Sequence, residues 1–180
     1  MMLVQLCTIN LIGVCVFLLR MNMISPYASY PTFCAFDAQM STFSSIHIGF
    51  ADGASRYTRN LASAAWVVYS PNDELLSSGG MYLGPATNNV AEYRAVIGLL
   101  TEALSMGITQ LTVYLDSQLV VHQLNRIYSI RDPTLLRLYL RVRSLERQFD
   151  FIQFQHISRE FNHVADSLAN YVLDWHLADI

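Results

Sequence analysis

Residues 46–55 read Ile-His-Ile-Gly-Phe-Ala-Asp-Gly-Ala-Ser. The first six, Ile46 to Ala51, form an apolar, β-rich run, and the run ends on a carboxylate, Asp52. Residues 62–69, Ala-Ser-Ala-Ala-Trp-Val-Val-Tyr, are a second run of the same kind. Ser70-Pro71-Asn72-Asp73 makes a turn, and residues 74–82 follow as a third strand. Three such runs with short connections predict an antiparallel meander.

Working downstream, the pattern becomes helical. Asn88 or Asn89 is placed to cap a helix that runs to about Met106, with Gly107 as its stop. Its apolar positions Ala91, Ala95, Ile97, Leu99, Leu100 and Leu104 suit packing on a sheet. Residues 111–115 read as a short buried strand, and Ser117 starts a helix through about Asn125. Pro133 sits at a helix start, with residues 134–149 amphipathic behind it. Residues 151–155 are a fifth strand, and a final helix runs from 161 to about 175. The order βββαβααβα implies an α/β fold: a mixed five-stranded sheet with helices on both faces.

Four carboxylates stand at the joints of this pattern. Asp52 and Asp116 each end a β-rich run; Glu92 and Asp166 each lie near a helix start. Acids so placed in an α/β layer can converge on one edge of the sheet. A converged set repels itself unless a divalent cation neutralises it, and hard oxygen ligands select Mg²⁺ or Mn²⁺. Asp52, on the first and expectedly central strand, is the candidate for a carboxylate shared between two ions. Each acid alone has a plainer reading as a cap or turn residue; Asp116, just before Ser117, would then cap a helix.

The contexts of these acids resemble the motifs of the ribonuclease H family, in particular its plant reverse-transcriptase-like branch. Asp52-Gly53-Ala54 matches the family's first motif after a strand. Thr87-Asn88-Asn89-Val90-Ala91-Glu92 matches its helix-opening motif without a gap, and Asp116-Ser117-Gln118 its strand-ending one. His156 precedes Asp166 by ten residues, with Asn162 between them. The resemblance runs from about residue 46 to 175, roughly three quarters of the chain. It implies a type 1 ribonuclease H-like domain: a metal-dependent endonuclease cutting the RNA strand of RNA–DNA hybrids. It maps the metal-binding acids to Asp52, Glu92, Asp116 and Asp166, with two Mg²⁺ or Mn²⁺ ions when substrate is bound. It makes His156 a mobile proton carrier, a role that an imidazole suits. Asn88, Asn89 and Gln118, with Gly53 and Ser55, become the residues that meet the nucleic acid, reading the minor groove and 2′-hydroxyls. Arg56 beside Ser55 is a further phosphate candidate. The alternative is a retroelement-derived nucleic-acid-binding domain that does not cut.

Composition bounds these readings. The chain has 180 residues, 53% of them hydrophobic, which is one ordinary domain with a sizeable core. A formal net charge of -3 gives no global basic field. All 11 basic residues are arginine, which suits phosphate or reflects a base bias in the gene. Six of them, Arg126, Arg131, Arg137, Arg141, Arg143 and Arg147, lie between residues 126 and 147, as a DNA-tracking face or a solvated helix face. No lysine- and tryptophan-rich insertion forms a basic handle. Cys7, Cys15 and Cys34 lie far from the acids, in no metal-ligand spacing, and a reducing compartment is expected. Residues 1–44 are expected to be a hydrophobic leader and linker outside the fold, 45–176 the domain, and 177–180 a tail. The apolar run at 3–19 reads three ways: a signal or anchor, a disordered leader, or translated upstream sequence. Membrane attachment follows only if that run is a true anchor. The expectation is otherwise a monomer in cytoplasm or nucleus, without small-molecule cofactor.

Overall fold

The computed structural model describes residues 46–178, apart from 57 and 59; the expectations for residues 1–44 lie outside the described residues. Five strands form one sheet in the order β3-β2-β1-β4-β5. They are β1 (His47–Arg56), β2 (Leu61–Tyr69), β3 (Leu75–Gly84), β4 (Gln110–Leu115) and β5 (Phe151–His156). β1 pairs antiparallel with β2, and β2 with β3; β4 runs parallel to both β1 and β5. The expected meander is present, and β1 is the central strand. The helices are α1 (Asn88–Ser105), α2 (Gln118–Leu124), α3 (Pro133–Glu146) and α4 (His163–Ala178), the last preceded by a 3₁₀ turn at Arg159–Phe161.

Helices cover both faces, and small residues let them close in. Ala51 pairs with Trp66, whose indole lies against Gly98 of α1 and Gly79 of β3. Gly49, two residues earlier, faces Leu99 of α1. Odd positions of β1 therefore face α1. Even positions face α4: Asp52 pairs with Ala65, Ala65 with Gly80, and Gly80 abuts Val172 of α4. Ser63 Oγ donates to the Ala169 carbonyl at 2.6 Å on this same side. The main core lies between the sheet and α1, where Trp66, Val96, Leu99, Leu100, Leu111 and Val113 are buried, and α3 packs on α1 from outside.

Several boundaries differ from the sequence reading. β1 does not stop at Ala51 but runs to Arg56, because β2 supplies antiparallel partners for Asp52 through Arg56. Asp-Gly is a poor strand sequence, and a tertiary ladder overrides it. Asp52 is thus mid-strand rather than at a strand end. Thr87, not Asn88 or Asn89, caps α1, its side chain accepting from the Val90 amide. α3 stops at Glu146, three residues short of Phe149. α4 reaches Ala178, so 177 and 178 belong to the helix rather than to a tail. Among the described residues, no helix is long and apolar enough to cross a membrane.

Candidate active site

β4 ends before β1 does, and that difference in length makes the site. Their last paired residues are Phe50 and Tyr114. Two steps further on each strand stand Asp52 and Asp116, side by side at the notch where β4 stops. Ser117, not Asp116, caps α2, its side chain accepting from the Val120 amide at 3.4 Å. Asp116 is therefore free of capping duty. Glu92 enters from the first turns of α1, which rest directly on Gly53. A Cβ on Gly53 would lie 2.3 Å from the Glu92 nitrogen and 2.5 Å from the Ala91 carbonyl carbon. Only glycine allows this approach. One carboxylate oxygen each from Asp52, Glu92 and Asp116 lies within 4.8 Å of the others.

The fourth acid stands beside this trio. Asp166 lines the same cavity, about 210 Å³, with Asp52, Glu92, Asp116, Asn88 and Ser55. It is not one of the three that converge; its Oδ1 instead accepts from Arg159 at 2.5 Å. Asn88 braces Glu92, its Nδ2 3.4 Å from Oε1, while Ser55 Oγ donates to Asn88 Oδ1 at 3.3 Å.

Burial and crowding shift the protonation of the acids. Burial, then the charges of Asp116 and Asp166, push the Asp52 carboxyl up from 3.8 to about 7. Glu92 is raised well above its ordinary value by burial and by Asp52 and Asp116, against the Gly53 amide and Asn88, which favour its charge. Arg159 is raised, chiefly by its bond to Asp166. Glu92 Oε2 is buried with no hydrogen-bond partner among the described residues. A buried carboxylate oxygen without a donor, in a set made only of carboxylates, fits a hard divalent cation.

His156, the last residue of β5, lies beside the cavity rather than in its wall, and its Nε2 is 3.2 Å from the Asp116 carbonyl oxygen. The segment that follows it is held in place. The Ile157 amide donates to the Leu115 carbonyl, and Arg159–Phe161 form the 3₁₀ turn. Gly53, Ser55 and Asn88 line the cavity, whereas Asn89 and Gln118 do not. Arg56 turns away to pair with Asp174 of α4 at 2.8 Å.

A family model described as reverse transcriptase-like matches residues 50–172. This chain is a ribonuclease H-like domain of that family. It is similar to ribonuclease HI of Halobacterium salinarum, with 40% identity over 129 residues, covering 72% of this chain and 64% of that protein. The solved structure of RNase H1 from that archaeon superposes with a TM-score of 0.69 at 39% identity, covering 71% of this chain and 97% of that one. A bifunctional protein of Mycobacterium tuberculosis is 38% identical over 125 residues, 69% of this chain but 34% of that protein. The match thus spans about a third of the mycobacterial relative's length. LC11-RNase H1, solved in complex with an RNA/DNA hybrid, is 31% identical with a TM-score of 0.68, over 73% of this chain and 99% of that one.

Three polar residues of the ribonuclease H-like domain's site escaped the sequence reading. Asn170 lies one helical turn after Asp166 and donates to its carbonyl at 2.9 Å. The i,i+4 rule would have placed it on the same face. Arg159 reaches Asp166 only because the 3₁₀ turn folds back, which no periodicity announces. Asn162, noted only as lying between His156 and Asp166, is buried against β1.

Proposed function

We propose that this chain is a divalent-metal-dependent endonuclease that hydrolyses the RNA strand of RNA–DNA hybrids. The observation that carries the proposal is the convergence of Asp52, Glu92 and Asp116 within 4.8 Å, at a cavity that Asp166 also lines. Carboxylates buried and crowded together inside a fold cost stability, as the raised Asp52 and Glu92 register. A cation offsets that cost. Asp52, Glu92 and Asp116 would hold one ion, and Asp52 with Asp166 a second when substrate is present, Mg²⁺ or Mn²⁺ by the hardness of the donors. Once bound, such ions would supply neutralisation of the negative charge that develops on the reacting phosphodiester.

The remaining steps belong to the chain's own groups. Asn88 and, behind it, Ser55 orient Glu92. Arg159 keeps Asp166 turned into the cavity wall. His156, once its ring leaves the Asp116 carbonyl, carries a proton to or from the reacting oxygens. Gly53, Ser55 and Asn88 at the cavity, with Asn89 and Gln118 on the adjoining surface, offer uncharged contacts for the shallow minor groove of a hybrid and its 2′-hydroxyls. The hybrid as substrate draws support from LC11-RNase H1, solved with an RNA/DNA hybrid. The domain is taken to act as a monomer without a small-molecule cofactor.

The test is cleavage of a labelled hybrid with Mg²⁺ and with Mn²⁺, beside single-stranded RNA and duplex DNA. Cutting confined to the RNA strand of the hybrid is expected. A hybrid that is bound but left intact with both ions would put the non-cutting retroelement-derived binding domain in its place.

A further inference from the structure

Asn162 joins the two acids that lie farthest apart in the chain. It is 1% exposed. Its Nδ2 donates to the carbonyl oxygen of Ala51 at 3.1 Å, across 111 residues of sequence. Ala51 immediately precedes Asp52. The Asn162 carbonyl accepts from the amide of Asp166 at 3.0 Å, and its own amide donates to the Arg159 carbonyl at 3.0 Å. One residue is therefore bonded to the strand at the shoulder of Asp52, to the helical turn that presents Asp166, and to the 3₁₀ turn that presents Arg159.

The other half of the amide is unpaid for in stability. Asn162 Oδ1 is buried with no hydrogen-bond partner among the described residues. A buried acceptor without a donor is destabilising, and an aliphatic side chain of similar size would avoid the penalty. Packing alone gives no reason for an amide at this position; the bond to Ala51 does.

We infer that Asn162 is a positioning residue of this site: its bond to the Ala51 carbonyl sets the distance at which Asp52 and Asp166 face each other across the cavity. The inference rests on the function proposed above, in which Asp52 and Asp166 share a cation. It assigns Asn162 no contact with substrate or ion.

Two variants test it. Asn162→Leu fills the volume while removing the donor and the unpartnered oxygen; Asn162→Ala removes both polar atoms and leaves the volume empty. Each is compared with the wild-type chain by metal-free melting, by a Mn²⁺ titration of the melting temperature, and by kcat and KM on a hybrid. Asn162→Leu is expected to melt within a few degrees of wild type. Its kcat is expected to fall about 10- to 100-fold with KM changed less than about threefold, the loss typical of removing a group that orients a metal ligand. The Mn²⁺ concentration giving half of the melting shift is expected to rise about 10-fold for the same reason. An unchanged kcat and Mn²⁺ midpoint in folded Asn162→Leu would overturn the inference. So would a kcat loss that only tracks the folded fraction, or failure of both variants to fold, either of which makes the amide a structural tether. If the wild-type chain does not cut hybrids, the functional proposal falls, and the Mn²⁺ midpoint still decides the role of Asn162.

Discussion

At one end of the sheet, four carboxylates from separate segments line a single cavity, and among the described residues no cation forms a salt bridge with the three that converge. Along α3 and its flanks, six arginines that are neighbours in sequence do the reverse. Arg126, Arg131, Arg137, Arg141 and Arg147 point into solvent. Arg143 turns inward, bonded to Glu146 and to the Leu124 carbonyl and lying 4.7 Å over the Tyr139 ring. The arginine run is conspicuous in the sequence and electrostatically relaxed in the fold. The acids are scattered over 115 positions and electrostatically strained once folded. Charge held together against its own repulsion marks the candidate active site of this molecule; charge that disperses or pairs does not.

The largest expected effect comes from striking the strained end directly. Asp116→Asn keeps the volume and removes one charge from the trio. Hybrid cleavage with Mg²⁺ should fall by about 10³-fold or more while the fold persists, since metal-held charge stabilisation is worth several kcal/mol. Turnover near that of wild type would break the comparison at its root.

His156→Ala should slow cleavage by about 10²-fold without eliminating it, as loss of one positioned proton carrier does. The pH–rate profile at saturating metal reports it. An unchanged rate at every pH would leave His156 a surface residue that happens to touch the Asp116 carbonyl.

The strain itself has a sign that can be measured. Asp52 is raised from 3.8 to about 7, so between those values the folded metal-free protein holds more protons than the unfolded chain. Metal-free stability should therefore fall as pH rises from about 4 to 7, and Mg²⁺ or Mn²⁺ should flatten that fall by replacing protons. Asp52→Asn should raise the metal-free melting temperature near pH 7.5 by a few degrees, on the order of 3–8 °C. A melting temperature that rises with pH across this window, or that ignores divalent cations, would mean the acids are not crowded in solution.

The smallest effect belongs to the relaxed end. The double change Arg137→Gln and Arg141→Gln should alter kcat little and raise KM by less than about threefold, with at most a slight lowering of the salt slope. A collapse of hybrid binding would place the arginine face in the path of the substrate.

Much of this was legible in sequence because it is local. The apolar, β-rich run at 62–69, the helical period from Asn88 and the stop at Gly107 marked the elements and their order, and right-handed, short connections limited how they could be joined. The identity of the acids was legible through the short motifs around them. The end of β1 was not, because residues 52–56 are held in the sheet by a partner strand rather than by their own propensity.

The sequence alone thus determined the element order, the family and the four acids, all of which are written in contiguous residues. Only the tertiary structure decided which three acids meet, that Asp166 leans on Arg159, that Arg56 and Arg143 are spent on ion pairs, and that Asn162 reaches back to Ala51. These are matters of register and of unequal strand length: β4 stops where β1 continues, and a notch between strands has no signature in either strand's own sequence.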